Sequence, residues 1–591
     1  MHSAPDLLLR WPSLDSSAKR ARLQNTFHLS AGPLAERLQA KMLPAERFAG
    51  GLWLRDPSVW SGDPQVQRTI ADRLGWLHSS ALMADSIERL LGFAAAVQRD
   101  GFTHVVLLGM GGSSLAPEVM RAVLGEAPGW PHMHVLDSTD PAAIAACTTP
   151  PDRTLYLIAS KSGTTIEPIS LAAHFQQRLQ DAHVTRWADH FVAITDEGTP
   201  LAARARTDSF RDLFINPSDI GGRYSALSFF GLVPAALMGQ NISAIVGWAV
   251  AMLAASEPGF GTALTNPSVA LGLAIGAAAD AGYNKLTLIL PAALEPFGPW
   301  IEQLVAESTG KQGSGVVPIA GEELGDPEVY GTDRFFIRLR FHKQSAEDIR
   351  STDITGLETA GVPLADIELP EMLSLGAEFI RWEIATSVAG GLIGVEPFDE
   401  PNVQQAKDAT QRLLDEYKSR GRLPIPAPDR TLDDDITLNT TSAARCGLGG
   451  RGPEAVLTLI QPGDYFALLA YLGPDDELAE ELSVFRHAVR DRTRAATTFE
   501  YGPRYLHSTG QIHKGGPNTG VFLLISTTPR DDLPIPGEIF SFGTLEQAQA
   551  LGDFASLDAA NRRAVHVHLP APDRRLIRTV AQTCLGHLPG S

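Results

Sequence analysis

The chain has 591 residues, of which 44% are hydrophobic and 7% aromatic, with a formal net charge of −19 and a pI near 5.3. That length suits about two to four packed units. The charge argues against nucleic acid or an anionic membrane as the main partner, while leaving room for an anionic small molecule in a local cationic pocket. Three dispersed cysteines, Cys147, Cys446 and Cys584, form no CxxC pair, which argues against a disulfide framework or a cysteine-rich zinc site.

The opening MHSAPDLLLRWPSLDSSAKR has no basic region ahead of an apolar core, so no secretory signal is expected and a cytoplasmic location is. Residues 1–50 read as mostly helical, with LAERLQAKML the clearest amphipathic piece. SIERLLGFAAAVQRDG is a further helix. HVVLLG (104–109) then reads as a buried strand, followed by a Gly/Ser turn and a helix from about 116. HVLD, LYLIAS (155–160) and FVAIT (191–195) are further short strands, each ahead of a polar turn. This is the rhythm of a parallel sheet with crossover helices. The most apolar run, SFFGLVPAALMGQNISAIVGWAVAMLAAS, is interrupted by Gln240, Asn241 and Ser243, and fits a buried helix pair better than a membrane span.

A second unit begins near 266, with a helix over SVALGLAIGAAADAG, a strand over KLTLILP (285–291), a helix over WIEQLVAES (300–308) and a strand over RFFIRLRF (334–341). AEFIRWEIATSVAGGLIG (377–394) is a long helix, and PIPAPDRTLDDD (424–435) a linker or surface loop. Beyond it AVLTLI, DYFALLAYL, GVFLLIS and AVHVHL indicate a third α/β portion. The expected division is a helical segment over 1–85, domains over 86–265 and 266–415, and a C-terminal region over 416–591 packed on the second domain.

Several turns between these elements carry chemistry. GMGGSSLAP (109–117) ends a strand in glycines and opens a helix with serines. Such a turn lets a ligand approach the backbone and offers hydroxyls and free N–H groups to an anion; without a P-loop lysine or a full GxGxxG spacing, it also reads as an ordinary βα turn with serine caps. SKSGTTIEP (160–168) gathers Ser160, Lys161, Ser162, Thr164 and Thr165 before a helix, a phosphate cradle rather than a solvated loop. Two hydroxyl-rich strand-end loops of one parallel sheet share its carboxyl edge, where ligands bind. GGRYSALS places Arg223 after two glycines, as a fixed cation for an oxyanion or as a surface arginine. QLVAESTGK sets Gln303 and Glu307 on one helical face, a candidate general base or a solvated helix end. VEPFDEPNVQQAKD leads through two prolines to Lys407. LHSTGQIHKGG (506–516) holds His507 and His513 in a loop-like run.

Together GMGGSSLAP, SKSGTTIEP, GGRYSALS, ESTGK and PFDEPNVQQAK resemble, in order and type, the motifs of the phosphoglucose isomerase family. The resemblance implies an α/β fold of two sugar-isomerase (SIS) domains, each a parallel sheet flanked by helices. Here these would carry an N-terminal helical arm and a C-terminal α/β extension. It also implies interconversion of glucose 6-phosphate and fructose 6-phosphate in glycolysis and gluconeogenesis, with no metal or organic cofactor, typically in a homodimer. On this resemblance Ser160, Lys161, Ser162 and Thr165 hold the phosphate, with Gly112 and Ser113 at the sugar. Arg223 faces the enediolate oxygens, Gln303 binds substrate, Glu307 carries the proton between C2 and C1, and Lys407 sits near the ring oxygen.

One part departs from the family pattern. The ring-opening histidine usually lies between ESxGK and the PFDxPxVxxxK motif, an interval that here holds only His342 without the flanking pattern. LHSTGQ, which resembles the bacterial histidine motif, comes after Lys407 instead, so His507 is expected to be the displaced family histidine, with His513 a secondary candidate for which a surface-loop role is favoured. The tail YGPRYLHSTGQIHKGGPNTGVFLLI is similar to the isomerase half of bifunctional transaldolase–phosphoglucose isomerases. About 85 residues ahead of the first sheet offer no (β/α)₈ rhythm, so transaldolase activity is not expected of this chain, and a functional link to a transaldolase is left open. The alternatives are a SIS isomerase of another hexose phosphate, which assays with several hexose 6-phosphates distinguish, and a sugar-phosphate sensor that does no chemistry, which would not need the ESTGK glutamate.

Overall fold

The structure, a computed structural model, describes residues 17–259 and 261–589, the side chains of Arg350 and Ser351 excepted. The helix expected over residues 1–50 lies outside them as far as residue 16. From residue 17, a helix over Ser17–Leu23 is followed by the strand β1 (Phe27–Ser30) and a helix over Ala35–Leu54.

Three sheets follow, the third in the C-terminal α/β extension. The first contains β2 (His104–Gly109), β3 (His132–Leu136), β4 (Thr154–Ala159), β5 (Phe191–Asp196) and β6 (Asp212–Asn216), all parallel, in the order β3-β2-β4-β5-β6. The second contains β7 (Lys285–Ile289), β8 (Val317–Ile319), β9 (Arg334–Phe341) and β10 (Leu364–Leu369), parallel in the order β8-β7-β9-β10. The arm contributes its edge: β1 pairs antiparallel with β10, so the N-terminal segment is part of this sheet rather than a purely helical arm. Its FHLS pattern, alternating half-buried and exposed, suits an edge strand with one covered face.

The third sheet contains β11 (Arg430–Thr431), β12 (Thr437–Thr440), β13 (Tyr465–Tyr471), β14 (Ala496–Tyr501), β15 (Gly520–Thr527) and β16 (Arg563–Leu569), with β14-β13-β15-β16 parallel and β12 antiparallel beside β16. In all three sheets the first parallel strand lies between the second and the third. The chain therefore leaves the first strand to one side and returns on the other, which opens a crevice at the carboxyl ends of the strands.

The apolar run near residue 240 forms two buried helices, Phe229–Leu237 and Ile242–Ala255, as its polar interruption implies. The helix Leu375–Leu392 is buried along almost its whole length and packs against Ile242–Ala255 and Val269–Asp280. Among the described residues no helix is long and apolar enough to cross a membrane. The C-terminal region packs on more than the second domain. Phe542, Leu545 and Ala548 join Leu171, Phe175 and Leu179 of the first domain in one apolar cluster. Their helix, Phe542–Ala559, also lies along Val403–Arg420.

Candidate active site

β2 is buried from Val105 onward and delivers Gly111 and Gly112 at its carboxyl end. Gly111 has φ +54°, and a Cβ there would lie 2.5 Å from the His507 carbonyl oxygen and 2.9 Å from Gln303 Nε2. A Cβ on Gly112 would lie 2.0 Å from the carbonyl oxygen of Gly222, the residue before Arg223. Glycine at both positions lets three segments from distant parts of the chain touch this turn. Ser113 is buried there, and Ser114 Oγ donates to Asp137 at 2.9 Å.

β4 ends in the hydroxyl-rich loop. Ser160 and Thr165 hydroxyls share a hydrogen bond of 2.9 Å, as do those of Ser162 and Thr164, and the Gly163 N–H donates to Ser160 Oγ at 3.1 Å. Ser162, Thr164 and Thr165 line a cavity of about 340 Å³ together with Lys407 and His507.

Glu307 stands one turn below Gln303 on the buried helix Gly298–Thr309. Burial pushes its carboxyl up to about 8; Arg223 opposes the shift and Glu400 adds to it. Arg223 is 2% exposed. Its Nε donates to Ser308 Oγ at 2.8 Å, and its Nη2 to the carbonyls of Pro397 and Asp399 at 2.7 and 2.9 Å. Its Nη1 lies 2.9 Å from Glu400 Oε2 and 3.5 Å from Glu307 Oε2. Burial alone would weaken the guanidinium's hold on its proton, but Glu400 and Glu307 outweigh it and keep the group charged.

His507 follows β14 through a tight turn over Arg504–His507. Its Nε2 lies 3.0 Å from Glu167 Oε1, an oxygen that also accepts from Gln549 Nε2 at 2.7 Å; Thr139 Oγ1 in turn donates to Gln549 Oε1 at 2.8 Å. Burial works against the charged form of Glu167, yet its acidity is increased by the imidazole beside it. Gln303 Nε2 joins the two halves of the site: it donates to the His507 carbonyl at 2.7 Å and lies 3.5 Å from Glu307 Oε2. The imidazole of His507 thus lines the cavity, while its backbone abuts the buried cluster of Gln303, Glu307 and Arg223. That cluster lies beside the cavity rather than in its lining.

Gln511 of the same motif fixes this approach. Its Nε2 donates to the Gly310 carbonyl and to Asn402 Oδ1, both at 2.8 Å, and its Oε1 accepts the Asn402 N–H at 2.8 Å. LHSTGQ is thereby stapled to ESTGK and to PFDEPN.

The family model described as Phosphoglucose isomerase matches residues 91–316. A relative from Haloquadratum walsbyi, described as a probable glucose-6-phosphate isomerase, is 30% identical over 352 residues, covering 54% of this chain and 80% of the relative. The chain belongs to the phosphoglucose isomerase family. A glucose-6-phosphate isomerase from Thermosynechococcus vestitus is 29% identical over 440 residues, covering 68% of this chain and 80% of that one. Among solved structures, a hypothetical protein from Thermus thermophilus aligns with a TM-score of 0.54 and 23% identity, over 65% of this chain and 99% of the other, a likeness of fold. The family match includes Arg223 and Glu307 and ends before Lys407 and His507.

One expectation for this phosphoglucose isomerase family member changes, the surface-loop role of His513, while Lys161 and His342 have the following partners. The Lys161 ammonium is committed to Asp196 Oδ2 at 2.5 Å and to the Ser218 carbonyl at 2.8 Å, because Asp196 ends the strand next to β4. It is not among the residues that line the hydroxyl loop's cavity. His513 is buried rather than on a surface loop, with its Nδ1 3.0 Å from the Tyr465 hydroxyl and its Nε2 3.4 Å from Glu500. His342 is an exposed partner of Glu368 in the second sheet. Sequence reasoning passed over Glu167, Glu400, Gln511 and Gln549. Glu167 stands inside a quoted motif, but a carboxylate in the first turn of a helix has an ordinary explanation in the helix dipole.

Proposed function

We propose that this chain interconverts D-glucose 6-phosphate and D-fructose 6-phosphate, an aldose–ketose isomerisation through a cis-enediolate. The observation that carries the reading is the junction at Gln303, whose amide touches both the carboxylate of Glu307 and the backbone of His507. The hydroxyl loop of Ser160, Ser162 and Thr165 binds the 6-phosphate, and Gly112 and Ser113 lie at the sugar. His507, oriented by Glu167, moves a proton between O1 and O5 to open the ring, and Lys407 across the cavity steadies the ring oxygen. Glu307 removes the C2 proton, the C2–H electrons form the C1–C2 double bond while the C1 carbonyl electrons move onto O1, and, as the O2 hydroxyl proton passes to O1, the ketone forms at C2 and the double-bond electrons take the proton back from Glu307 at C1. Arg223 meets the negative charge that develops on oxygen, as a buried cation close to the base. The proposal calls on no cofactor.

Burial of Glu307 serves this chemistry. A carboxyl pushed up to about 8 is a much stronger base than a solvated one, matched to a proton that carbon releases reluctantly. A coupled assay of fructose 6-phosphate formation tests the reading, with Glu307→Gln as the decisive variant. It should lose about 10²–10⁴-fold or more in turnover while still binding the sugar phosphate; near-normal turnover would remove Glu307 from the role. A homodimeric assembly and a working association with a transaldolase belong to the same proposal, and sedimentation velocity and co-purification address them.

A further inference from the structure

Arginine carries five N–H donors. In Arg223 all three nitrogens are engaged: Nε on Ser308, Nη2 on two carbonyls, and Nη1 between two carboxylates, Glu400 at 2.9 Å and Glu307 at 3.5 Å. The two carboxylates differ in freedom. The Glu307 side chain is 8% exposed and fixed on a buried helix, whereas that of Glu400 is 43% exposed on the PFDEP turn. The other cations near Glu307 are Lys407, at the cavity, and Lys311, which is spent on Asp399 Oδ1 at 2.6 Å and on the Glu396 carbonyl. Arg223 is therefore the only cation with a nitrogen this close to the base among the described residues. A closed Arg223–Glu307 pair would make Glu307 a poor base, because an adjacent guanidinium stabilises a carboxylate strongly.

We propose that Glu400 is a positioning residue of the isomerisation, drawing the Arg223 guanidinium off Glu307 so that the base is not neutralised by its own oxyanion-binding partner. The inference rests on the functional reading given above. Glu400 makes the shorter contact in the free enzyme and, being the more exposed partner, yields Nη1 to the substrate oxygen as charge develops there. It touches neither the C2 proton nor the phosphate loop; it acts through Arg223.

The test compares wild type, Glu400→Gln and Glu400→Asp in the pH dependence of kcat/KM for glucose 6-phosphate. Removing the like charge and freeing the guanidinium act in the same direction on Glu307. The acid limb in Glu400→Gln should therefore move to lower pH by about one unit, with a reduced plateau in kcat and a smaller change in KM. Glu400→Asp should keep the limb close to wild type. An unmoved acid limb in a Glu400→Gln protein that melts like wild type overturns the proposal. A second measurement is the carboxyl titration of Glu307 by ¹³C NMR in the substrate-free enzyme, assigned by difference from Glu307→Gln. It should show the same downward shift, and no shift there also overturns the proposal. If wild type fails to isomerise glucose 6-phosphate, the functional reading falls, while the NMR titration still decides whether Glu400 controls Glu307.

Discussion

The first and second sheets share one strand order and differ in what their carboxyl ends present. The first ends in glycines and hydroxyls: Gly111 and Gly112 after β2, Ser160 to Thr165 after β4. The second opens on a cavity of about 720 Å³ whose polar lining includes Glu295, Glu302, Glu322 and Glu323, with Arg486 and His487 from the helix Asp476–Thr493. Hydroxyl groups gather at the first edge and carboxyl groups at the second. Topology thus opens a crevice in each sheet, and side chains decide its use. The second sheet serves the site through the helix that follows β7, which carries Gln303 and Glu307 on the face away from Glu302. The third sheet contributes the turn after β14, which brings in His507.

The sharpest way to break this comparison is to disable one crevice at a time. His507→Asn should lower turnover of cyclic glucose 6-phosphate by about 10²–10⁴-fold, the usual weight of an acid–base group. Glu302→Gln, on the second sheet's crevice, should leave turnover within a few-fold of wild type. Comparable losses in both would mean that the two crevices do not divide the work.

A smaller effect is expected at the phosphate loop. Thr165→Ala should raise the inhibition constant for inorganic phosphate by about tenfold, the weight of one hydrogen bond to a charged group. Lys161→Met should act differently. Its ammonium is tied to Asp196, where burial raises the carboxyl's hold on its proton and Lys161 opposes it. The lysine change should therefore cost about 1 kcal/mol or less of stability, as partly exposed pairs do, with a weaker effect on phosphate inhibition. A larger phosphate effect for Lys161→Met than for Thr165→Ala would reverse the assignment made from their contacts.

Much of the fold and of the candidate site was legible in the sequence where the mark is local. Glycines next to a strand end, clustered hydroxyls, and a glutamine four residues before a glutamate all announce themselves over a few positions. The strands β2, β4, β5 and β7 were equally plain, as short apolar runs before polar turns. What escaped notice depends on partners far along the chain. β10 reads LADIEL, and Asp366 in its middle argues against a buried strand until Arg338 and Arg340 of β9 are seen to pair with it. β14 was hidden by its threonines and Glu500. AVLTLI, apolar enough for a strand, is part of a 3₁₀ turn over Pro453–Leu459. Glu400 could not be distinguished from a surface glutamate, because its meaning lies in Arg223, far earlier in the chain.

The smallest effect concerns stability rather than turnover, and it separates the two faces of the helix Gly298–Thr309 once more. Burial pushes Glu302 up to about 8, with Glu500 adding to the shift and the Ala320 N–H, at 2.9 Å, opposing it. An unfolded glutamate releases its proton near the ordinary carboxylate value, so between that value and about 8 the folded state holds the proton and the unfolded state does not. The contribution to stability is complete below the unfolded value and disappears as the pH rises through about 8. Glu307 shares the same window and sign. Melting temperatures measured from about pH 6 to 9 should therefore fall more gently in Glu302→Gln than in wild type, and more gently still in the double variant with Glu307→Gln. Because neither variant changes the other's burial, a flattening seen with Glu307→Gln alone would assign the alkaline loss to the site face of the helix and leave the second crevice without a share in it.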